Sequence, residues 1–402
     1  MLIALLRSLF NGLRPTKTKD IVQMPIKDMK KDSPTQPVFV VGIWRSGTSL
    51  LYALLNQNPR LSLMYEGDLL LLGPMFWGGR SKADWKQRWD FWNTGLSRHQ
   101  LDSKRIPDHP ANLAAAMESV GREYAGTAIW GCKSPSYYDR LDQLSRLFPG
   151  ARFIIIWRDP ADTLRSIVRA SQGSSWFGKT GMSVRALLGD LEMKKGCDLL
   201  VARGCRVHQL HYEELVRDPA STMAGVCKFL KIPYDPRMGT LEGADRSAIF
   251  SAGHHAMVKG ERIVSGPSRA EVLAPRLKKK IDRYVVYWKK RYGGLWPVYP
   301  LVPEGSAEAT FLERTRDSLA FALFRAWDRS VALVYCFAPV FLLAAYRRVK
   351  SRWQPDLTDG AEFSPLREGR GQSSSGVPDD SATDGPFSQV VEVSESRQES
   401  RT

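Results

Sequence analysis

A chain of 402 residues, 43% of them hydrophobic, can hold one large α/β domain with extensions or two to three domains. Its formal charge of +16 is uneven: from Pro355 onward ten acids face four arginines, which leaves that tail at −6 and the rest at +22. Such a body favours an anionic ligand or a membrane surface, and no zinc-finger spacing or RNA-binding aromatic signature points to nucleic acid. The five cysteines form no CxxC pair, which excludes a disulfide framework or zinc site and fits a reducing, cytoplasmic compartment.

Residues 1–36 open with MLIALLRSLFNGLRPTKTK, an apolar stretch broken at Arg7 with no small-x-small cleavage site. It is too short to span a bilayer and reads as an amphipathic segment followed by the basic linker KKDSPTQP. Residues 37–300 then alternate strand-like and helix-like patterns and form the main domain. Strands are expected at Val38–Val41, Leu61–Tyr65, Ala128–Cys132, Arg152–Trp157 and Arg206–Leu210. Helices are expected at Ser49–Asn56, Asn112–Tyr124, Tyr138–Leu147, Pro160–Ser171, Val184–Ala202 and Ala220–Leu230. Continuous apolar strands such as FIIIW predict a parallel sheet covered on both faces.

The first strand runs into Gly42-Ile43-Trp44-Arg45-Ser46-Gly47-Thr48-Ser49 and then into a helical pattern. Glycines let backbone N–H groups converge on an anion, and a helix N-terminus adds partial positive charge. The glycine spacing matches a Walker A loop, but Thr48 stands where that loop has its lysine. The cradle therefore suits a phosphate-like group and not the β/γ-phosphates of a triphosphate. A P-loop kinase or NTPase is the alternative reading, as is a non-catalytic nucleotide-binding scaffold at a membrane.

A second constellation is RFIIIWRDPADTLRSIVR (152–169). Arg158 ends a buried strand, at the edge where parallel sheets bind ligands, and Pro160 opens a helix that carries Ser166. Arg158 either faces that crevice or simply pairs with Asp159 or Asp162.

Together the two stretches resemble the sulfotransferases that use 3′-phosphoadenosine 5′-phosphosulfate, over roughly residues 37–262. The RSGTS form is similar to the branch of tyrosylprotein and many bacterial sulfotransferases. The resemblance implies a P-loop-like three-layer α/β sandwich with a central parallel sheet, and in-line sulfuryl transfer without a metal. The hydroxyl or amine acceptor would be a carbohydrate, lipid, peptide or small metabolite. It places the 5′-phosphosulfate on Arg45, Ser46, Gly47, Thr48 and Ser49, and the 3′-phosphate on Arg158 and Ser166, with Tyr212 of the stretch YEELVRDP nearby. Glu66, in LMYEG, corresponds to the base that takes the acceptor proton; otherwise it caps a helix starting near Gly67. Lys133, in WGCKSPSYY, corresponds to the residue that stabilises charge on the bridging oxygen; otherwise it lies in a surface turn. His99 and His109 are rival bases. The segment 250–263 resembles the loop that closes over the nucleotide, and Lys259 and Arg262 are its candidate contacts, although Gly260-Glu261-Arg262 departs from the family's pattern.

Phe76–Pro110, rich in tryptophan, and Trp176–Gly189 are the stretches expected to shape the acceptor side. Val331–Tyr346 is sixteen residues without charge, flanked by Arg329 and by Arg347, Arg348, Lys350 and Arg352. Adding Leu319–Trp327 would lengthen it only by burying Arg325 and Asp328. Within a 301–354 helical region it is therefore expected to be a membrane-associated hairpin or interfacial helix, or else a buried or oligomer-forming helix. Residues 355–402 are expected to be disordered.

Overall fold

The apolar runs that predict strands do so because their alternate side chains have two separate cores to fill. In the computed structural model, β1 (Val38–Val41) sends Phe39 and Val41 into one core and Val38 and Val40 into the other. β4 (Arg152–Trp157) does the same, with Phe153, Ile155 and Trp157 on one face and Ile154 and Ile156 on the opposite face. A strand buried on both faces needs no polar alternation, which is why these segments read as continuous apolar runs. The structure describes residues 36–67, 113–173, 177, 181–249, 258, 260, 263, 273–292, 302–339, 341, 342 and 345, with 172–173, 292, 329 and 331–337 as backbone alone.

The sheet has five strands, all parallel, in the order β2-β3-β1-β4-β5. β2 is Leu61–Tyr65, β3 Ile129–Lys133 and β5 Arg206–His211. α1 (Thr48–Leu55), α6 (Tyr212–Arg217) and α7 (Pro219–Leu230) cover one face. The other face carries α2 (Leu113–Ala125), a 3₁₀ turn at Pro135–Asp139, α3 (Leu141–Leu147), α4 (Pro160–Gly173), α5 (Met182–Ala202) and α8 (Pro275–Tyr292). This is the expected three-layer α/β architecture.

Strand order places the site. β1 is flanked by β3 and β4, so the turns that follow these three strands open at one edge of the sheet. Open parallel sheets bind ligands at the carboxyl edge where strand order reverses, here between β1 and its two neighbours. At the opposite end, Arg152 donates to the carbonyls of Leu230 and Gln36 and is wholly committed to structure.

The C-terminal region departs from the expected organisation in one respect. Leu319–Trp327 and the start of Val331–Tyr346 belong to a single helix, α9 (Phe311–Phe337). Such a helix includes Arg325 and Asp328, which would be costly to bury unpaired. Both are paired instead: Arg325 with Asp139 and Glu192, Asp328 with Arg185. Among the described residues no helix is long and apolar enough to cross a membrane.

Candidate active site

Each functional loop starts where a strand ends. After Val41 the chain turns through Gly42 to Gly47, and two residues adopt positive φ: Arg45 at 69° and Gly47 at 98°. A Cβ on Gly47 would lie 2.3 Å from the ring of Tyr212, so glycine is required by conformation and by space together. Ser46 closes the turn by donating its hydroxyl to the carbonyl of Ile43 at 2.8 Å. α1 then begins at Thr48 with no side-chain cap, which leaves its first N–H groups for an incoming anion.

Arg45, in a left-handed conformation that costs a non-glycine residue about 1–2 kcal/mol, directs its Nε to Ser166 Oγ on α4 at 3.0 Å. Its pKa is lowered to about 10, first by burial and then by the charge of Arg158. Two cations held close at the same edge define a site for an anion of more than one charge.

Arg158 resolves the ambiguity left by the sequence. Asp159 caps α4 by accepting from the N–H groups of Ala161 and Asp162, and Asp162 pairs with Arg165 at 2.5 Å. Arg158 therefore has no carboxylate partner among the described residues. It donates Nη1 to the carbonyl of Arg45 at 2.8 Å, stacks 4.1 Å from the Tyr212 ring centre, and leaves Nε buried without a hydrogen bond. Glu213 accepts from the N–H of Asp159 at 3.0 Å and supports the turn.

The third group sits at the ends of β2 and β3. Lys133 is the last residue of β3, one residue beyond the expected strand end, and is fully buried. It is not in a surface turn. Its Nζ donates to Glu66 Oε1 at 2.6 Å, lies 3.4 Å from Ser49 Oγ, and sits 3.8 Å from the centre of the Tyr65 ring. Glu66 has φ 50° and donates its N–H to the carbonyl of Lys133, which turns the carboxylate out of the strand. Its Oε2 has no hydrogen bond to any described residue, so one oxygen is committed and one is available.

Arg45, Ser46, Gly47, Thr48, Ser49, Glu66, Lys133, Arg158, Ser166 and Tyr212 thus converge on the carboxyl edge. Lys259, Arg262, His99 and His109 lie outside the described residues, as does Phe76–Pro110. Two contributors escaped the sequence reading. Tyr65 shares a 2.8 Å hydrogen bond with Ser49 and forms the floor under Lys133; its only signal is an aromatic residue directly before Glu66. Arg185 lies 4.4 Å from the centre of the Trp44 ring and pairs with Asp328 of α9. Nothing local in the sequence announces that contact.

A parallel sheet with an uncapped strand–loop–helix beside a strand-end arginine is an α/β architecture whose carboxyl edge gathers backbone N–H groups and cations. Residues 37–236 match the sulfotransferase family, and this half of the chain belongs to that family. The chain is 24% identical over 217 residues to a putative protein-tyrosine sulfotransferase of Caenorhabditis briggsae, covering 50% of this chain and 68% of that protein. It is 24% identical over 258 residues to protein-tyrosine sulfotransferase 1 of Danio rerio, covering 63% and 66%. Nodulation protein H of Rhizobium meliloti (strain 1021) is 26% identical over 234 residues, covering 54% and 83%. The chain thus spans between about a third and about two thirds of the length of the protein-tyrosine relatives it matches. Among solved structures, the sulfotransferase domain from the curacin biosynthetic pathway aligns at 18% identity and a TM-score of 0.44, covering 61% of this chain and 95% of that one.

Proposed function

We propose that this chain transfers the sulfuryl group of 3′-phosphoadenosine 5′-phosphosulfate to an acceptor hydroxyl, with Glu66 as base. The observation that carries the reading is the position of Lys133, 2.6 Å from Glu66 and 3.4 Å from Ser49. One buried ammonium reaches both the base and the loop that would hold the donor. The residues suit a nucleotide with two anionic ends: Arg158 lacks a carboxylate among the described residues, and α1 begins without a side-chain cap on its first N–H groups.

The donor, when bound, supplies a sulfuryl group activated by its link to the 5′-phosphate. In this reading Arg45 and the N–H groups of residues 46–49 hold the 5′ end, while Arg158, Ser166 and Tyr212 hold the 3′-phosphate. Lys259 and Arg262 would close over the nucleotide. Glu66 Oε2 accepts the acceptor's proton as the acceptor oxygen bonds to sulfur. The electron pair of the broken S–O bond stays on the departing phosphate oxygen, where Lys133 and Arg45 meet its charge. Such preorganised donors typically contribute about 10²–10³ each in rate, without a metal.

The names of the protein-tyrosine relatives make a tyrosyl phenol the first acceptor to test. Carbohydrate, lipid and small-metabolite hydroxyls follow. The full chain would be given ³⁵S-labelled donor with tyrosine peptides, and separately with a cell extract. Label on a peptide or extract component, absent with Arg45→Ala, is the expected result. ATP with Mg²⁺ binding more tightly than adenosine 3′,5′-bisphosphate would overturn the proposal in favour of a P-loop kinase or NTPase.

A further inference from the structure

α9 is amphipathic in an inverted way: its acids pair with the rest of the protein and its apolar side faces outward. The inward side is fully engaged. Glu313 pairs with Arg283, Asp317 with Lys280 and the Tyr284 hydroxyl, Arg325 with Asp139 and Glu192, and Asp328 with Arg185. Phe321 is buried in the core between them. All three acids of the helix are used in this way.

The outward side carries Leu312, Leu319, Leu323 and Trp327, spaced by seven, four and four residues, which aligns them on one face. With neighbouring Phe311 they are between 61% and 78% exposed. Among the described residues the charged one within this stripe is Arg316, itself exposed and 3.5 Å from the buried Asp317; no acid projects along the stripe. Beyond the helix Phe341 and Leu342 are again exposed, and the sequence runs on through an uncharged stretch to Arg347, Arg348, Lys350 and Arg352. Isolated exposed leucines are unremarkable, but a continuous stripe of this size marks an interaction surface.

We propose that the outward face of α9 lies flat on an anionic phospholipid surface. An apolar face bearing Leu, Phe and Trp, with Arg316 within it and a run of arginines and a lysine following in the sequence, has the composition of a helix that rests in a bilayer interface. Each Lys or Arg near an anionic leaflet adds attraction that falls off within the Debye length. A second copy of the chain suits the stripe less well. Two copies each carry +16, and a self-complementary contact would bring the Arg316 residues together in an otherwise apolar seam. The helix would not span: its inward charges are held by the protein.

The test uses the full-length chain in flotation with vesicles of phosphatidylcholine alone and of phosphatidylcholine with phosphatidylserine. The comparison variant is L319Q/L323Q/W327Q, which replaces exposed side chains and leaves the buried pairs intact. The expected result is flotation with the phosphatidylserine vesicles, weakened by added salt, and a loss of at least tenfold in partitioning for the variant with an unchanged melting temperature. Equal flotation of the two proteins, or none by the unaltered chain, overturns the proposal. So does sedimentation of the unaltered chain as a lipid-independent dimer that the variant abolishes, which would assign the stripe to self-association. The assay uses no donor, so its outcome is separate from that of the proposed reaction.

Discussion

The 3′-phosphate assignment of Arg158 can be tested before any acceptor is known. In Arg158→Ala the affinities for adenosine 3′,5′-bisphosphate and adenosine 5′-phosphate would be measured by titration calorimetry. The guanidinium supports two things. One is the loop, through the 2.8 Å bond to the Arg45 carbonyl, whose loss weakens both ligands alike. The other is the proposed contact with the 3′-phosphate, which only the bisphosphate makes. A hydrogen bond to a charged group contributes about 1.5–3 kcal/mol, so that contact alone corresponds to about 10–150-fold in Kd. The ratio of the two affinities should therefore fall by this factor, while the 5′-phosphate alone weakens by less than about tenfold, the effect of one ordinary hydrogen bond. Arg158→Lys, which keeps the charge and loses the fork, should fall between. A ratio unchanged within twofold in Arg158→Ala would refute the assignment, because the arginine would then serve the loop alone.

Three further outcomes follow from the geometry. Lys133→Met and Glu66→Gln should each lower turnover by about 10²–10³ with calorimetric donor affinity changed less than tenfold, whereas loss of binding without loss of turnover would contradict their roles. Gly47→Ala meets both a φ of 98° and a 2.3 Å approach to Tyr212; strain and overpacking together cost about 2–5 kcal/mol, read as a lower melting temperature and weaker bisphosphate binding. Asp190 is buried on α5, and burial, with the charge of Asp159, raises its pKa well above the usual carboxylate value. A carboxyl whose folded pKa is raised stabilises fully below its unfolded pKa and loses that contribution as pH rises through the folded value. Asp190→Asn should consequently raise the melting temperature by roughly 2 °C or more at pH 8 and leave it unchanged near pH 4, since about 1 kcal/mol corresponds to 2–4 °C at this size; an equal gain at both values would show that the carboxyl does not titrate in this window.

The sheet was legible because its strands obey a local rule. Val38–Val41, Leu61–Tyr65 and Arg152–Trp157 end where the apolar runs end, at Gly42, Glu66 and Arg158. The third strand extends to Lys133 because that residue pairs in register with Val40, a partner far away in the chain. The helix expected over Tyr138–Leu147 begins instead as a 3₁₀ turn at Pro135 and restarts at Leu141, with Arg140 leaving helical geometry between them. Loop residues such as Arg45 and Gly47 were legible from glycine spacing. Arg158 was legible only as a choice, settled by Asp159 capping α4 and Asp162 taking Arg165. Tyr65 and Arg185 were hidden, since their partners come from other strands and helices.

α8 and α9 lie beyond the stretch that matches the family, yet α9 reaches the loop at the centre of the site. Asp328 on α9 holds Arg185 at 2.6 Å, and Arg185 lies over Trp44, which also packs edge-on against Tyr138 at 5.3 Å. Trp44 directly precedes Arg45, the residue kept at φ 69°. A strained residue persists only where its surroundings over-determine it. Here Ser166 and Arg158 fix Arg45 from one side and the Trp44–Arg185–Asp328 chain fixes its neighbour from the other. The family segment builds the cradle, and a helix outside that segment adds a second support to it. The same helix presents its apolar stripe on the opposite side, so the element proposed to rest on lipid is also the one that supports the donor loop.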